Sequence, residues 1–222
     1  MSAPLWYLLL VPAAYLLGAI PSGVIIAKLA GGVDVREEGS RSTGMTNVLR
    51  TVGVGPAIIV LALDVGKGVL AVMAARLVAR YVGLPPAEQW YLEVGCAVAA
   101  LVGHNWSVYL RFRGGRGIAT GLGALSVLSP WAGLAALTVA LPVIAVSRYV
   151  SLGSLAGAFL GGGGLVVLSV LHVQPMAYGV YGGIGVAVIT FRHRENIHRL
   201  LAGTESRLGR RPPPTTPEGT PV

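Results

Sequence analysis

Long apolar runs separated by short polar islands dominate this chain. Continuous apolar stretches cover residues 5–27, 52–78, 92–110 and 152–173, with shorter ones at 118–128, 132–146 and 176–190. A bilayer-spanning helix needs about 20 mainly apolar residues, so the pattern predicts an all-α, polytopic membrane protein. The first stretch has no basic leader and is long enough to span, so it is expected to stay in the bilayer rather than be removed as a signal peptide. The region 118–146 reads either as one long helix or as two short ones divided at Ser129-Pro130. Charge decides between them. Arginine gathers after the first stretch (Arg36, Arg41, Arg50), after the third (Arg111, Arg113, Arg116) and in the tail from Arg192 to Arg211, and cytoplasmic loops carry that excess. Two short helices return the tail to the same side as the other clusters. The expectation is therefore seven transmembrane helices, N-terminus outside and C-terminus cytoplasmic. Residues 1–211 form one membrane-embedded domain and 212–222, rich in proline, a disordered cytoplasmic tail.

Composition agrees with this reading. The chain of 222 residues is 54% hydrophobic and only 12% charged, with a mean hydropathy of +0.70, outside the range of an ordinary soluble domain. The net charge of +8 is scattered between spans rather than laid on one soluble face, which excludes a nucleic-acid partner. The single cysteine, Cys96, lies inside an apolar run and reads as a small core residue.

The islands on the expected cytoplasmic face are 39–50, 103–120, 148–151 and 191–205. They hold hydroxyls, amides, glycines and cations but few carboxylates, which suits an anionic ligand. Glycines let backbone N–H groups approach a phosphate, and Gly117 directly precedes an expected helix N-terminus. Anionic lipid headgroups would also attract arginine, but they do not call for Ser40, Thr43, Thr46 and Asn47 beside Arg50, nor for glycines around Arg116. A built pocket explains both. His104 and Asn105 stand near the inner end of the third stretch, either as caps or as part of that pocket. Asp64 and Lys67, three apart on one helical face, read as an intramembrane ion pair, with direct chemistry as the alternative. His193 and His198 are five apart, the wrong spacing for two ligands on one helix face, and no acidic or cysteine cluster completes a metal site. No metal or cofactor is expected. Ile197, Leu200 and Leu201 beside Arg194 and Arg199 read as an interfacial amphipathic helix.

Together these segments resemble the bacterial acyl-phosphate:glycerol-3-phosphate acyltransferases, the PlsY family. Gly39, Ser40, Gly44, Thr46, Asn47 and Arg50 fit that family's first motif. Gly103, His104, Phe112, Gly114, Gly115, Gly117, Ala119 and Thr120 fit the second, and 193–205 fits the third. Residues 63–68 and 148–154 are similar to further family segments. Arg41, Ser42 and Met45 depart from the first motif, and Arg116 stands where the family usually has lysine. The resemblance implies transfer of a fatty acyl group from acyl phosphate to the 1-hydroxyl of glycerol 3-phosphate, giving lysophosphatidic acid and phosphate for phospholipid biosynthesis, in the bacterial inner membrane with the active site at the cytoplasmic face. It implies a catalytic group of Ser40, His193 and Asn196, with His193 and Asn196 orienting or deprotonating the attacking hydroxyl. The implied substrate-binding group is Arg50, Thr46, Asn47, His104, Gly114, Gly115, Arg116, Gly117 and Ser151. Membrane lipids and a peripheral enzyme that makes acyl phosphate are the implied partners. Two readings without catalysis stand beside this one: an organic-anion transporter, whose site would lie near the midplane between repeats that this chain lacks, and a lipid-binding membrane protein.

Overall fold

The structure, a computed structural model, describes residues 3–209; the expected tail at 212–222 lies outside them. The described chain is helical: α1 (Ala3–Ala19), α2 (Ser22–Gly31), α3 (Met45–Thr51), α4 (Val54–Tyr81), α5 (Pro86–Asn105), α6 (Ile118–Leu128), α7 (Pro130–Ser147), α8 (Val150–Ala158), α9 (Gly164–Val170), α10 (Met176–Arg192) and α11 (Arg194–Leu201). A π turn at Phe159–Gly163 joins α8 to α9, and a single 3-10 turn spans Val108–Leu110.

Local chemistry sets the breaks. Pro21 lacks an N–H and pushes Ile20 out of helical geometry, which separates α1 from α2. Ser129 accepts a hydrogen bond from the Ala132 N–H at 3.4 Å, and Pro130 opens α7 at the position where proline is favoured. The expected division of 118–146 at this point is therefore real.

The count of seven spans is not. Among the described residues four helical segments are long and apolar enough to cross a membrane: Pro4–Gly31 (α1 with α2), Val54–Tyr81 (α4), Pro130–Ser147 (α7) and Val150–Val170 (α8 to α9). The expected third span is α5, whose 20 residues carry Glu88, Gln89, Glu93, His104 and Asn105. The 11 residues of α6 reach only about 16 Å against a hydrocarbon core of roughly 30 Å. The remaining short stretch is α10, at 17 residues. With four such helices the parity argument loses its basis, and with it the assignment of the N-terminus outside and the C-terminus to the cytoplasm. Apolar length in a sequence does not distinguish a helix facing lipid from one packed among other helices. In α5, Leu92, Val94, Cys96, Ala97, Ala100 and Leu101 are buried, so much of its apolar surface serves packing.

The spanning helix α4 is apolar outside and buries two charged side chains among small apolar ones. Ile58, Ile59, Leu63, Leu70 and Leu77 are exposed, whereas Asp64 and Lys67 are buried. The expected pair forms, with Lys67 Nζ 2.7 Å from Asp64 Oδ1. The α4–α6 crossing is close because Gly68 faces the Thr120 backbone and Gly123 faces the Val65 backbone, leaving no room for a Cβ on either side. Farther along, fully buried Glu93 accepts from Arg76 Nε and Nη2 (2.9 and 2.8 Å), Gln89 (2.8 Å) and Tyr178 (2.7 Å), while Arg76 also donates to the Val127 carbonyl at 3.0 Å. This saturated network ties α4, α5, α6 and α10 together.

Candidate active site

The first polar island folds around Asn47. Its Oδ1 accepts from the Ser40 N–H at 2.8 Å, and its Nδ2 donates to the Val35 and Glu38 carbonyls at 2.7 and 3.1 Å. Asn47 therefore clamps the loop from behind and leaves the Ser40 side chain exposed at the edge of a cavity. Thr46 and Arg50, from α3, line the same cavity.

The second island turns back on the end of α5. The N–H groups of Gly114 and Gly115 donate to the Asn105 and His104 carbonyls at 3.2 and 3.0 Å, and neither glycine lines the cavity. Their own carbonyls receive Arg192, Gly114 at 3.0 Å and Gly115 at 2.8 Å, and the Arg192 guanidinium lies 5.5 Å over the Trp106 ring. This turn delivers Arg116 and Gly117 to the cavity wall. Gly117 has φ +81°, and a Cβ there would meet Leu101 Cδ1 and the Asn105 amide, so glycine is required. Among the described residues Arg116 makes no side-chain hydrogen bond or ion pair, and neither does Arg50. Burial pulls the Arg116 pKa below its ordinary value, with the Glu205 charge opposing. His104 reaches the cavity and is held from behind, its Nδ1 3.2 Å from Thr120 Oγ1 and 3.4 Å from Lys67 Nζ. Lys67 donates to the Gly18 and Ile20 carbonyls at 3.2 and 2.9 Å and is ion-paired with Asp64.

The third island supplies the opposite wall. His193 sits between α10 and α11, 2% exposed, with Nδ1 2.8 Å from the Ile189 carbonyl. A carbonyl only accepts, so Nδ1 carries the proton of the neutral imidazole and Nε2 keeps a lone pair. Burial lowers the His193 pKa to about 4, aided by Arg116 and Arg192, and the Ile189 bond and Glu205 oppose it without prevailing. His193 is thus neutral at pH 7.

Asn196 and Ser151 come together on a residue that the sequence reading did not assign to the site. Glu205 Oε1 accepts from Asn196 Nδ2 at 2.7 Å and from Ser151 Oγ at 2.8 Å, and Oε2 accepts from Arg199 Nε at 2.7 Å. Burial alone would raise the Glu205 pKa, but the bonds from Asn196, Arg199 and Ser151 hold it below the usual carboxylate value. Its signal in the sequence was its place at the end of the third motif. Arg199, also unassigned, lines the cavity.

Ser40, Thr46, Asn47, Arg50, His104, Arg116, Gly117, Ser151, His193 and Asn196 thus share one cavity of about 370 Å³. It continues from this polar mouth into an apolar arm between α6, α7, α8 and α10, lined by Leu122, Leu125, Leu137, Leu141, Ile144 and Val186. The mouth attracts anions and the arm takes a hydrocarbon chain.

The family model described as glycerol-3-phosphate acyltransferase matches residues 8–203, and the chain belongs to this family. A glycerol-3-phosphate acyltransferase of Synechococcus elongatus is 44% identical over 198 residues, covering 89% of this chain and 92% of the relative. Two crystal structures of PlsY (YgiH), an integral membrane glycerol 3-phosphate acyltransferase, are similar at 35% identity. Its glycerol 3-phosphate form superposes with a TM-score of 0.80, covering 91% of this chain and 96% of that one. Its lysophosphatidic acid form gives 0.78, with 91% and 95% covered.

Proposed function

We propose that this protein transfers a fatty acyl group from acyl phosphate to the 1-hydroxyl of glycerol 3-phosphate, releasing lysophosphatidic acid and inorganic phosphate. The observation that carries this reading is the single cavity in which a cationic mouth opens into an apolar arm. Both substrates are phosphates and one carries a long chain, so one space serves both. Residues 1–211 act as one membrane-embedded catalytic unit in the bacterial inner membrane. Its arginine-bearing mouth faces the cytoplasm, as lysine and arginine bias favours, and a peripheral enzyme making acyl phosphate supplies the donor there.

Arg50, Arg116 and the Ser40 hydroxyl bind phosphate oxygens, helped by Thr46, His104 and the start of α6 at Gly117, while Ser151, whose hydroxyl donates to Glu205, holds that carboxylate beside them. Asn47, Gly114 and Gly115 act one step behind, holding the loops that carry these groups. His193 Nε2 accepts the hydrogen bond of the 1-hydroxyl, and Asn196, fixed on Glu205, orients it. The hydroxyl oxygen attacks the acyl carbon, the bond from that carbon to the phosphate oxygen breaks, and the hydroxyl proton ends on the departing phosphate. An imidazole with a pKa near 4 orients the hydroxyl more than it takes the proton, and an acyl phosphate is already an activated anhydride. Charge stabilisation by the arginines therefore supplies most of the acceleration.

The test is phosphate release by the purified protein from palmitoyl phosphate. Release that requires glycerol 3-phosphate, matches lysophosphatidic acid formed, and is not supported by glycerol is the expected result. Release independent of the acceptor, or no release, contradicts the reading.

A further inference from the structure

Tyr181, Gly185, Ile189 and His193 are spaced four apart, which places them on one face of α10 and its continuation, and all four line the cavity. His193 stands at the polar mouth and Ile189 anchors it through its carbonyl. At the other end Tyr181, 3% exposed, donates its hydroxyl to the Gly121 carbonyl at 2.9 Å, a bond that fixes the ring against α6. Gly185 lies between them, eight residues before His193 and so about 12 Å along the helix axis.

Gly185 differs from every other buried glycine among the described residues. A Cβ built on each of the others meets an atom within 4 Å, and Gly182, one turn below, faces the Gly162 backbone. A Cβ on Gly185 meets nothing within 4 Å, although the residue is buried. The vacancy in front of it is the apolar arm itself. Helix packing therefore does not require glycine here; the cavity does.

We propose that Gly185 determines acyl-chain length, its missing side chain being the opening through which a long chain passes Ile189 and runs on to Tyr181. This rests on the reading above that the arm holds the acyl chain of the donor. A side chain at position 185 would project into the arm part-way down. Short chains end before it, and long chains collide with it or must bend out toward lipid.

The test is a competition assay in which the parent, Gly185→Ala and Gly185→Leu each receive octanoyl and palmitoyl phosphate together with glycerol 3-phosphate, with both products quantified. The palmitoyl-to-octanoyl ratio of kcat/KM is expected to fall by roughly tenfold or more for Gly185→Leu, in line with the effect of filling an apolar specificity pocket. Gly185→Ala should move it less, in the same direction. Because alanine adds one methyl group to open space and favours a helix, it keeps the question answerable if the leucine variant does not fold. A ratio unchanged in the alanine variant and in any folded leucine variant overturns the assignment of Gly185. A parent inactive with both donors overturns the functional reading on which it rests.

Discussion

Asn196 donates its amide N–H to Glu205 Oε1 at 2.7 Å, and the same oxygen receives the Ser151 hydroxyl at 2.8 Å. One carboxylate in a cavity mouth otherwise rich in cations thus fixes two side chains that are 45 positions apart in the sequence (196 − 151). With Arg199 on the other oxygen, Glu205 is fully engaged and orients its partners. Glu205→Gln keeps the shape but turns one accepting oxygen into a donor facing other donors. Losing charge-assisted bonds worth roughly 1.5 to 3 kcal/mol should lower kcat/KM about ten- to a hundredfold. Steady-state kinetics on a variant with parental thermal stability checks this; unchanged kcat/KM would show that Asn196 and Ser151 need no such anchor.

The pKa of His193 carries a sign that can be tested. The folded value is about 4, whereas an unperturbed histidine titrates near 6.5. As pH falls from about 6.5 toward 4, the unfolded chain binds a proton that the folded chain does not, so stability declines across that window by roughly 3 kcal/mol from this group. Above pH 6.5 the group is neutral in both states and contributes no slope. His193→Ala should remove this contribution to acid destabilisation and lower turnover at least about tenfold, while His198→Ala leaves turnover near parental. A pH-rate profile with a His193-dependent inflection near neutrality would contradict the assignment.

Arg116 tests the phosphate site. Arg116→Ala should lower kcat/KM about ten- to a hundredfold through loss of a charge-assisted bond of roughly 1.5 to 3 kcal/mol. Arg116→Lys retains the charge, loses the second prong of the fork and should keep much of the activity. Equal efficiencies for Arg, Lys and Ala, measured with saturating acyl phosphate and varied glycerol 3-phosphate, would remove Arg116 from the site.

The buried pair on α4 makes a thermodynamic prediction. Lys67→Met leaves Asp64 as an unpaired buried carboxylate beside His104, at a cost of about 3 to 5 kcal/mol. Combining it with Asp64→Asn should recover part of that loss, which thermal unfolding in detergent can resolve. A double variant less stable than Lys67→Met alone would show that Asp64 is held by something other than this pair.

Much of this site could be read from side-chain chemistry. The polar islands, Arg116 among its glycines and the Asp64–Lys67 pair announce themselves because each is costly in an apolar chain unless it has a partner or a task, whereas Ser151, His193 and Asn196 are marked as site residues by the family resemblance. What escaped was decided by neighbours far away in sequence. Gly114 and Gly115 looked like phosphate cradles, yet their N–H groups are taken by the carbonyls at the end of α5. Glu205 closed the third motif, but its part in the site shows only in the convergence of Ser151 and Asn196 on it. The span count failed for the same reason: apolar length measured on α5, α6 and α10 says nothing about whether lipid or protein covers it. The vacancy at Gly185, in a chain with 32 glycines, could be found only from the atoms around it.

That both substrates meet in this one cavity, and that the acyl group passes directly between them, is the claim on which the rest depends. The Ser151 hydroxyl is hydrogen-bonded to Glu205, but the bonds from Asn196, Arg199 and Ser151 hold that carboxylate below its usual pKa, so it is a weak base and no acyl-serine is expected. Initial rates measured over a grid of acyl phosphate and glycerol 3-phosphate concentrations test it most directly. Intersecting reciprocal plots, with no acyl-enzyme detectable by intact-protein mass when acyl phosphate is added alone, are the predicted result. Parallel plots together with a trapped acyl-enzyme would contradict it.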